Sequence, residues 1–148
     1  MDKPVEKFED LKGMKLRTGA GLSANILKAL GVAPVPSTAA QIFPMVSKGV
    51  VDGMTGPAAL VTVLKVDQFI KHGLIYPGAF FTLAWTPILN QQKWDSVSAD
   101  DQAIMEKYLG ETMARSVAGE WDRQNAAALA KMKAAGISIK NANPAFVA

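Results

Sequence analysis

The first 54 residues alternate between short apolar runs and amphipathic stretches, and each change of pattern falls at a glycine, a proline or a small polar residue. "MKLRT", residues 14–18, has the length and composition of a strand. Gly19 and Gly21 follow as a tight turn, and then Leu22, Ile26, Leu27 and Leu30 recur at helical spacing. Ser23 is placed to cap that helix and Gly31 to end it. "APVPS", residues 33–37, is held extended by its prolines. A second helix is predicted from Thr38 to Lys48, closed by Gly49, with Pro44 tolerable only near its start. "VVDGM", residues 50–54, supplies a third short strand. Strand, helix, strand, helix, strand is the order of an α/β domain with a mostly parallel sheet.

Beyond this repeat the pattern loosens. "PAALVTVLKVDQFIKHG", residues 57–73, reads as a helix or a helix and turn. Residues 73–90 are rich in aromatic and β-branched side chains and predict two strands broken at Pro77-Gly78. A short helix around Trp94 precedes a longer one capped by Ser98, whose first turn holds Asp100 and Asp101 as the helix dipole favours. That helix is predicted to run from Ala99 to about Ala135, interrupted at Gly110 or Gly119, long enough to cross from one lobe to another. "GISIK", residues 136–140, closes the pattern with a strand.

Composition removes several classes of function. With 49% hydrophobic and 20% charged residues, the 148-residue chain can build a core and is not disordered. The net charge of +3 is not concentrated, since the densest basic pair, Lys131 and Lys133, sits among alanines; nucleic acid is not an expected partner. Without cysteine there are no disulfides or thiolate metal sites, and one histidine, His72, cannot make a two-histidine metal site. Neither a metal nor a cofactor is expected. Lys65, Asp67, Lys71 and His72 interrupt the most apolar region before it reaches membrane-spanning length. The opening "MDKPVEKFED" is not a signal peptide.

Catalytic patterns are thin. "TGAG" lacks both the Lys-Ser/Thr of a phosphate loop and the third glycine of a dinucleotide fingerprint. Ser23, Ser37 and Ser47 have no nucleophile-elbow setting. Asp95, Asp100 and Asp101 suit helix ends better than paired acid and base work. No catalytic residue is assigned.

Arg17 stands apart by position. Ligands of open α/β sheets bind at the carboxyl ends of the strands, and Arg17 lies at such an end with a helix start just behind it. A guanidinium also matches a carboxylate through two parallel hydrogen bonds. Gly53, Gly56 and Pro57 end another strand with small residues that allow close approach, Pro57 being expected at the first helical position. Tyr76, Phe80, Phe81 and Trp85 are candidates for an apolar pocket wall, and Trp94 and Trp121 for packing.

These segments resemble the solute-binding proteins of TRAP transporters, the DctP-like family. The resemblance rests on "DLKGMKLRT", "LKALGVAPVP", "IFPMVSKGVVDG" and "LNQQKWDSVSADDQ" with the long helix behind, in matching order and spacing. It implies a type II periplasmic binding fold of two lobes that closes on an organic acid and delivers it to a membrane permease. The family's carboxylate-gripping arginine falls on Arg17, with Thr18 and the Gly56-Pro57 turn supporting the ligand and Tyr76 and Phe80 shaping the pocket. Many members carry Asn-Pro after "VDG" where this chain has Gly56-Pro57, which removes a polar contact. "IYPGAFF" is closer to relatives that take monocarboxylates or 2-oxoacids than to those specific for sialic acid.

The expectation is therefore the C-terminal portion of a periplasmic receptor for a small carboxylate or dicarboxylate. Residues from about 10 to 70 would be its second lobe, and residues from about 71 to 148 its crossover strands and long helix. The resemblance places a whole lobe before "DLKG", so the free chain is expected to self-associate through the uncovered helix. Two rivals are the ligand-sensing domain of a transcription regulator, though no helix-turn-helix is visible, and a small enzyme acting on carboxylates.

Overall fold

The computed structural model describes residues 3–76 and 85–143. They form a mixed α/β chain in which β1 (Lys15–Thr18) lies between β2 (Ala33–Pro36) and β3 (Gly53–Met54), paired in parallel with each. Helix α1 (Leu22–Ala29) connects β1 to β2, and α2 (Ile42–Ser47) connects β2 to β3. The predicted strand-helix alternation is thus present in order.

The prolines of β2 fall where they cost no hydrogen bond. Ala33 and Ser37 donate their N–H groups to Met14, just before β1, and to Thr18 at its end, at 2.9 and 3.1 Å. Alternate residues of an edge strand point their N–H groups outward, so Pro34 and Pro36 have no ladder bond to lose. This keeps β2 extended up to Ser37.

Several boundaries differ from expectation. Ser23 does not cap α1: the cap is Gly21, with φ at 73°, a conformation costly for any side chain. Ser23 lies buried inside the first turn and donates its hydroxyl to the Gly19 carbonyl at 3.1 Å. The helix predicted from Thr38 to Lys48 forms in two pieces, a 3-10 turn at Ala39–Gln41 and then α2. Gln41 Oε1 reaches back to the Thr38 N–H at 3.2 Å. Pro44 is the third residue of α2, within the first turn. Pro57 sits one residue before α3 (Ala58–Val63) rather than in its first position. Lys65, at φ 55°, separates α3 from a 3-10 turn at Asp67–Phe69.

Of the two strands predicted over residues 73–90, the first is β4 (His72–Ile75); residues 77–84 lie outside the described residues, and 85–90 form no regular element. Three helices follow: α4 (Gln91–Asp95), α5 (Ala99–Glu106) and α6 (Glu111–Ala134). Ser98 caps α5, accepting the Asp101 N–H at 3.2 Å. The long helix breaks at Gly110, where φ is 60°, and runs without interruption through Gly119. β5 (Ser138–Asn141) then pairs in parallel with β4.

The chain divides into two compact units, Met1–Thr82 with Asn125–Ala148, and Leu83–Gln124. In the first, Val5, Leu11, Leu16, Leu27, Val32 and Ala142 form one buried cluster, with Met14, Leu74 and Tyr76 packed against it. Ile42, Val61, Val66, Met132 and Ile137 form another. Ala59 is tied to α6 through its N–H, which donates to Asn125 Oδ1 at 3.0 Å. In the second unit the apolar faces of α5 and α6 are open, and Trp121, expected to pack, is 41% exposed.

Candidate binding site

Three strand ends meet at the carboxyl edge of the first sheet. Ser37 follows β2 and Thr55 follows β3, and both return hydrogen bonds to β1. Ser37 N–H donates to the Thr18 carbonyl at 3.1 Å, and Thr55 N–H donates to the Arg17 carbonyl at 2.9 Å. Thr18 is completely buried, and its hydroxyl lies 3.0 Å from that of Thr55. Thr18 thus holds the edge together from inside.

Side chains alternate along a strand, so Leu16 and Thr18 share one face of β1 and Arg17 takes the other. Leu16 goes into the first apolar cluster. Across the ladder Arg17 is flanked in register by Val35 and Met54, neither of which offers a charge. Arg17 is only 7% exposed. Its Nε donates to Ser37 Oγ at 3.1 Å and its Nη2 to the Ser37 carbonyl at 2.6 Å. Among the described residues it has no carboxylate partner. Burial pushes the guanidinium below its usual range, because the charged form loses hydration. Arginine nevertheless stays protonated under any ordinary condition. The result is a mostly buried cation whose hydrogen bonds among the described residues go to neutral oxygens.

The other candidates are distributed unevenly. Gly56 and Pro57 follow Thr55 directly and are exposed at the same sheet edge. A Cβ on Gly56 would come 3.3 Å from Leu60 Cδ2 and 3.6 Å from Met54 Cε, so glycine keeps this turn uncrowded. Tyr76 is half-buried against the cluster that contains Leu16, which is the face of β1 opposite Arg17. Phe80 lies outside the described residues. His72 opens β4, away from Arg17 in the chain fold's other sheet. No group of three or more potential metal ligands occurs among the described residues, and no described helix is long and apolar enough to cross a membrane.

The family model for "Bacterial extracellular solute-binding protein, family 7" (DctP) matches residues 1–148. The chain belongs to this family. Family 7 relatives include the C4-dicarboxylate-binding periplasmic protein DctP of Rhodobacter capsulatus, 30% identical over 137 residues, which cover 90% of this chain and 39% of that protein. The outer membrane transporter protein TsaT of Comamonas testosteroni is 26% identical over 148 residues, covering 99% of this chain and 44% of that protein. In structure, the chain is similar to a TRAP periplasmic solute-binding protein from Bordetella bronchiseptica with bound (R)- and (S)-mandelate. The TM-score is 0.87 at 28% identity, covering 98% of this chain and 46% of the other. The fold is therefore that of the TRAP solute-binding proteins. The chain spans somewhat less than half the length of these relatives.

Two residues of the site were not singled out as binding residues from the sequence. The sequence presents Ser37 only as a serine without a nucleophile-elbow setting, and it gives Thr55 no distinguishing feature. The signal for both was positional: each is the first residue past a strand that pairs with β1.

Proposed function

We propose that this chain is the carboxylate-gripping part of a TRAP-type solute receptor, with Arg17 as its anion site. The observation that carries the reading is the burial of Arg17 without an acidic partner among the described residues. A cation removed from water costs several kcal/mol unless a counter-charge is supplied. A ligand carboxylate supplies it when bound and adds two charge-assisted hydrogen bonds.

Two relatives bear names that state small acids as ligands, C4-dicarboxylates in one and mandelate in the other. Their shared chemistry is a carboxylate on a small organic frame, and this is the substrate class we assign. Thr18 would hold Arg17 in place, the Gly56-Pro57 turn would let the ligand approach the backbone, and Phe80 would shape the apolar wall; Tyr76, packed with the Leu16 cluster on the other face of β1, is not placed to line it. Residues 10–70 would belong to the second lobe, and 71–148 to the crossover strands and long helix. The receptor would work in the periplasm, passing its acid to the TRAP membrane permease without chemical change. An enzyme is not the reading these residues favour.

Calorimetry tests it on the protein at the full length its gene encodes, with (R)-mandelate and succinate as probes. Arg17→Ala is expected to lower affinity by about 2–4 kcal/mol, as for loss of a buried charge-assisted pair. Arg17→Lys recovers only part of this, since an ammonium cannot reproduce the fork. Unchanged affinity in Arg17→Ala would remove the assignment.

A further inference from the structure

A guanidinium has more than one edge that can grip a carboxylate with two parallel N–H groups. One is formed by Nε and Nη2, the other by Nη1 and Nη2 at the tip. In this chain the first edge is already taken. Ser37 accepts from Nε through its hydroxyl at 3.1 Å and from Nη2 through its carbonyl at 2.6 Å, mimicking a carboxylate with two neutral oxygens.

Ser37 is itself fixed. Its N–H donates to the Thr18 carbonyl at 3.1 Å, as the last rung of the β1–β2 pairing. Its hydroxyl proton points to the Thr38 carbonyl at 3.4 Å, which leaves the oxygen lone pairs free for Nε. The next residue, Thr38, is held by Gln41. The Pro-Val-Pro of β2 stiffens the chain leading in. Ser37 is therefore a rigid acceptor pair and not a passing contact.

Nη1 is different. It makes no hydrogen bond among the described residues, yet none of their buried side-chain nitrogens is without a partner. Nη1 therefore reaches the surface, and the tip is the edge an incoming anion can use.

We propose that Ser37 is a positioning residue that occupies the Nε–Nη2 edge of Arg17 and reserves the Nη1–Nη2 tip for the ligand carboxylate. This rests on Arg17 being the anion site. The carboxylate then docks end-on, in line with the side chain, and does not displace Ser37.

The test uses the protein at the length its gene encodes, with (R)-mandelate and succinate as probes. Arginine side-chain NMR follows Arg17, its signals identified by their loss in Arg17→Lys. On adding either probe, the Arg17 Nη signals are expected to shift while the Nε–H signal keeps its position and its slow exchange. Ser37→Ala removes the hydroxyl acceptor and is expected to weaken binding about three- to tenfold, the range of one ordinary hydrogen bond, because the hydroxyl positions Arg17 without touching the ligand. Ser37→Thr keeps the hydroxyl and restores affinity to within about twofold. A large Nε–H shift with Nη unmoved means side-on docking and overturns the inference while leaving Arg17 as the anion site. Full affinity in Ser37→Ala overturns it likewise. No response of any Arg17 signal to either probe sinks the anion-site reading and this inference with it.

Discussion

The two compact units are both built with amphipathic helices, but only one of them buries what those helices offer. In Met1–Thr82 with Asn125–Ala148, residues such as Leu16, Leu27, Ile42, Val66 and Met132 are sealed from water. In Leu83–Gln124 no described residue is buried; Trp94, Leu109 and Met113 are half-covered at most. Ile88 is 88% exposed and Trp85 77%. Isolated exposed apolar residues are ordinary, but a whole unit of them marks a surface made to be covered. An apolar stripe on a helix promises a partner without saying where along the polypeptide, or on which molecule, the partner lies.

The largest effect expected from this contrast is in stability. Ile42 is completely buried, so Ile42→Ala should cost about 2–5 kcal/mol through lost transfer energy and a cavity. Ile104 is 52% exposed, so Ile104→Ala should stay within about 0.5 kcal/mol. Urea denaturation of the two variants reads the difference. Equal losses would break the contrast, because they would show Ile104 to be as covered in the folded protein as Ile42.

The same contrast separates what the sequence made legible from what it hid. The strand-helix alternation of residues 14–54 was readable because glycines and prolines punctuate it and each apolar run feeds the nearest core. Arg17 stands out in the sequence as a permanent cation at the carboxyl end of a predicted strand, and the structure adds its burial. Its contact with Ser37 is not legible in the sequence. Its partner lies 20 residues away, and only the parallel pairing of β1 with β2 brings them together. The break at Gly110 rather than Gly119 was equally hidden. Both glycines have room for a side chain, but Gly110 takes a positive φ, whereas Gly119 stays helical beside the Glu120–Arg123 pair. A glycine inside a helix costs only about 1 kcal/mol, which neighbouring helix formers can offset.

A second, smaller effect concerns association. Of the exposed side chains, Ile104 and Met105 lie on α5, Tyr108 in the turn that follows it, and Val117 and Trp121 on the first half of α6. A second copy of the 148-residue chain offers the same apolar surface, and pairing removes both from water. Sedimentation of this chain alone should show a mass that rises with concentration. Replacing Ile104 and Val117 together by serine should return it toward a monomer. A monomer at every concentration before any substitution would show that exposure of this unit has no consequence for association.

The smallest effect tests what orders α6 where burial does not. Glu120 accepts hydrogen bonds from Arg123 at 2.6 and 2.8 Å and from Gln124 at 2.7 Å. These bonds, that from Arg123 foremost, lower its pKa from 4.5 to about 2. A folded pKa below the unfolded one means a contribution present above about pH 4.5 and lost as pH falls through about 2. The carboxylate is fully exposed, so its effect on overall stability is small and salt-screened. The titration itself is the sensitive readout. In dilute buffer, carboxyl NMR should place the Glu120 midpoint near 2, and Arg123→Ala should move it back toward 4.5. Added salt should move it in the same direction, though less, because it screens the charge and leaves the hydrogen bonds in place. A midpoint near 4.5 in dilute buffer would mean that local pairs do not hold these side chains. The part of α6 around Glu120 would then lack polar side-chain order, leaving the Glu111–Arg115 pair at the start of the helix as its remaining local pair, and the contrast with the buried unit would sharpen.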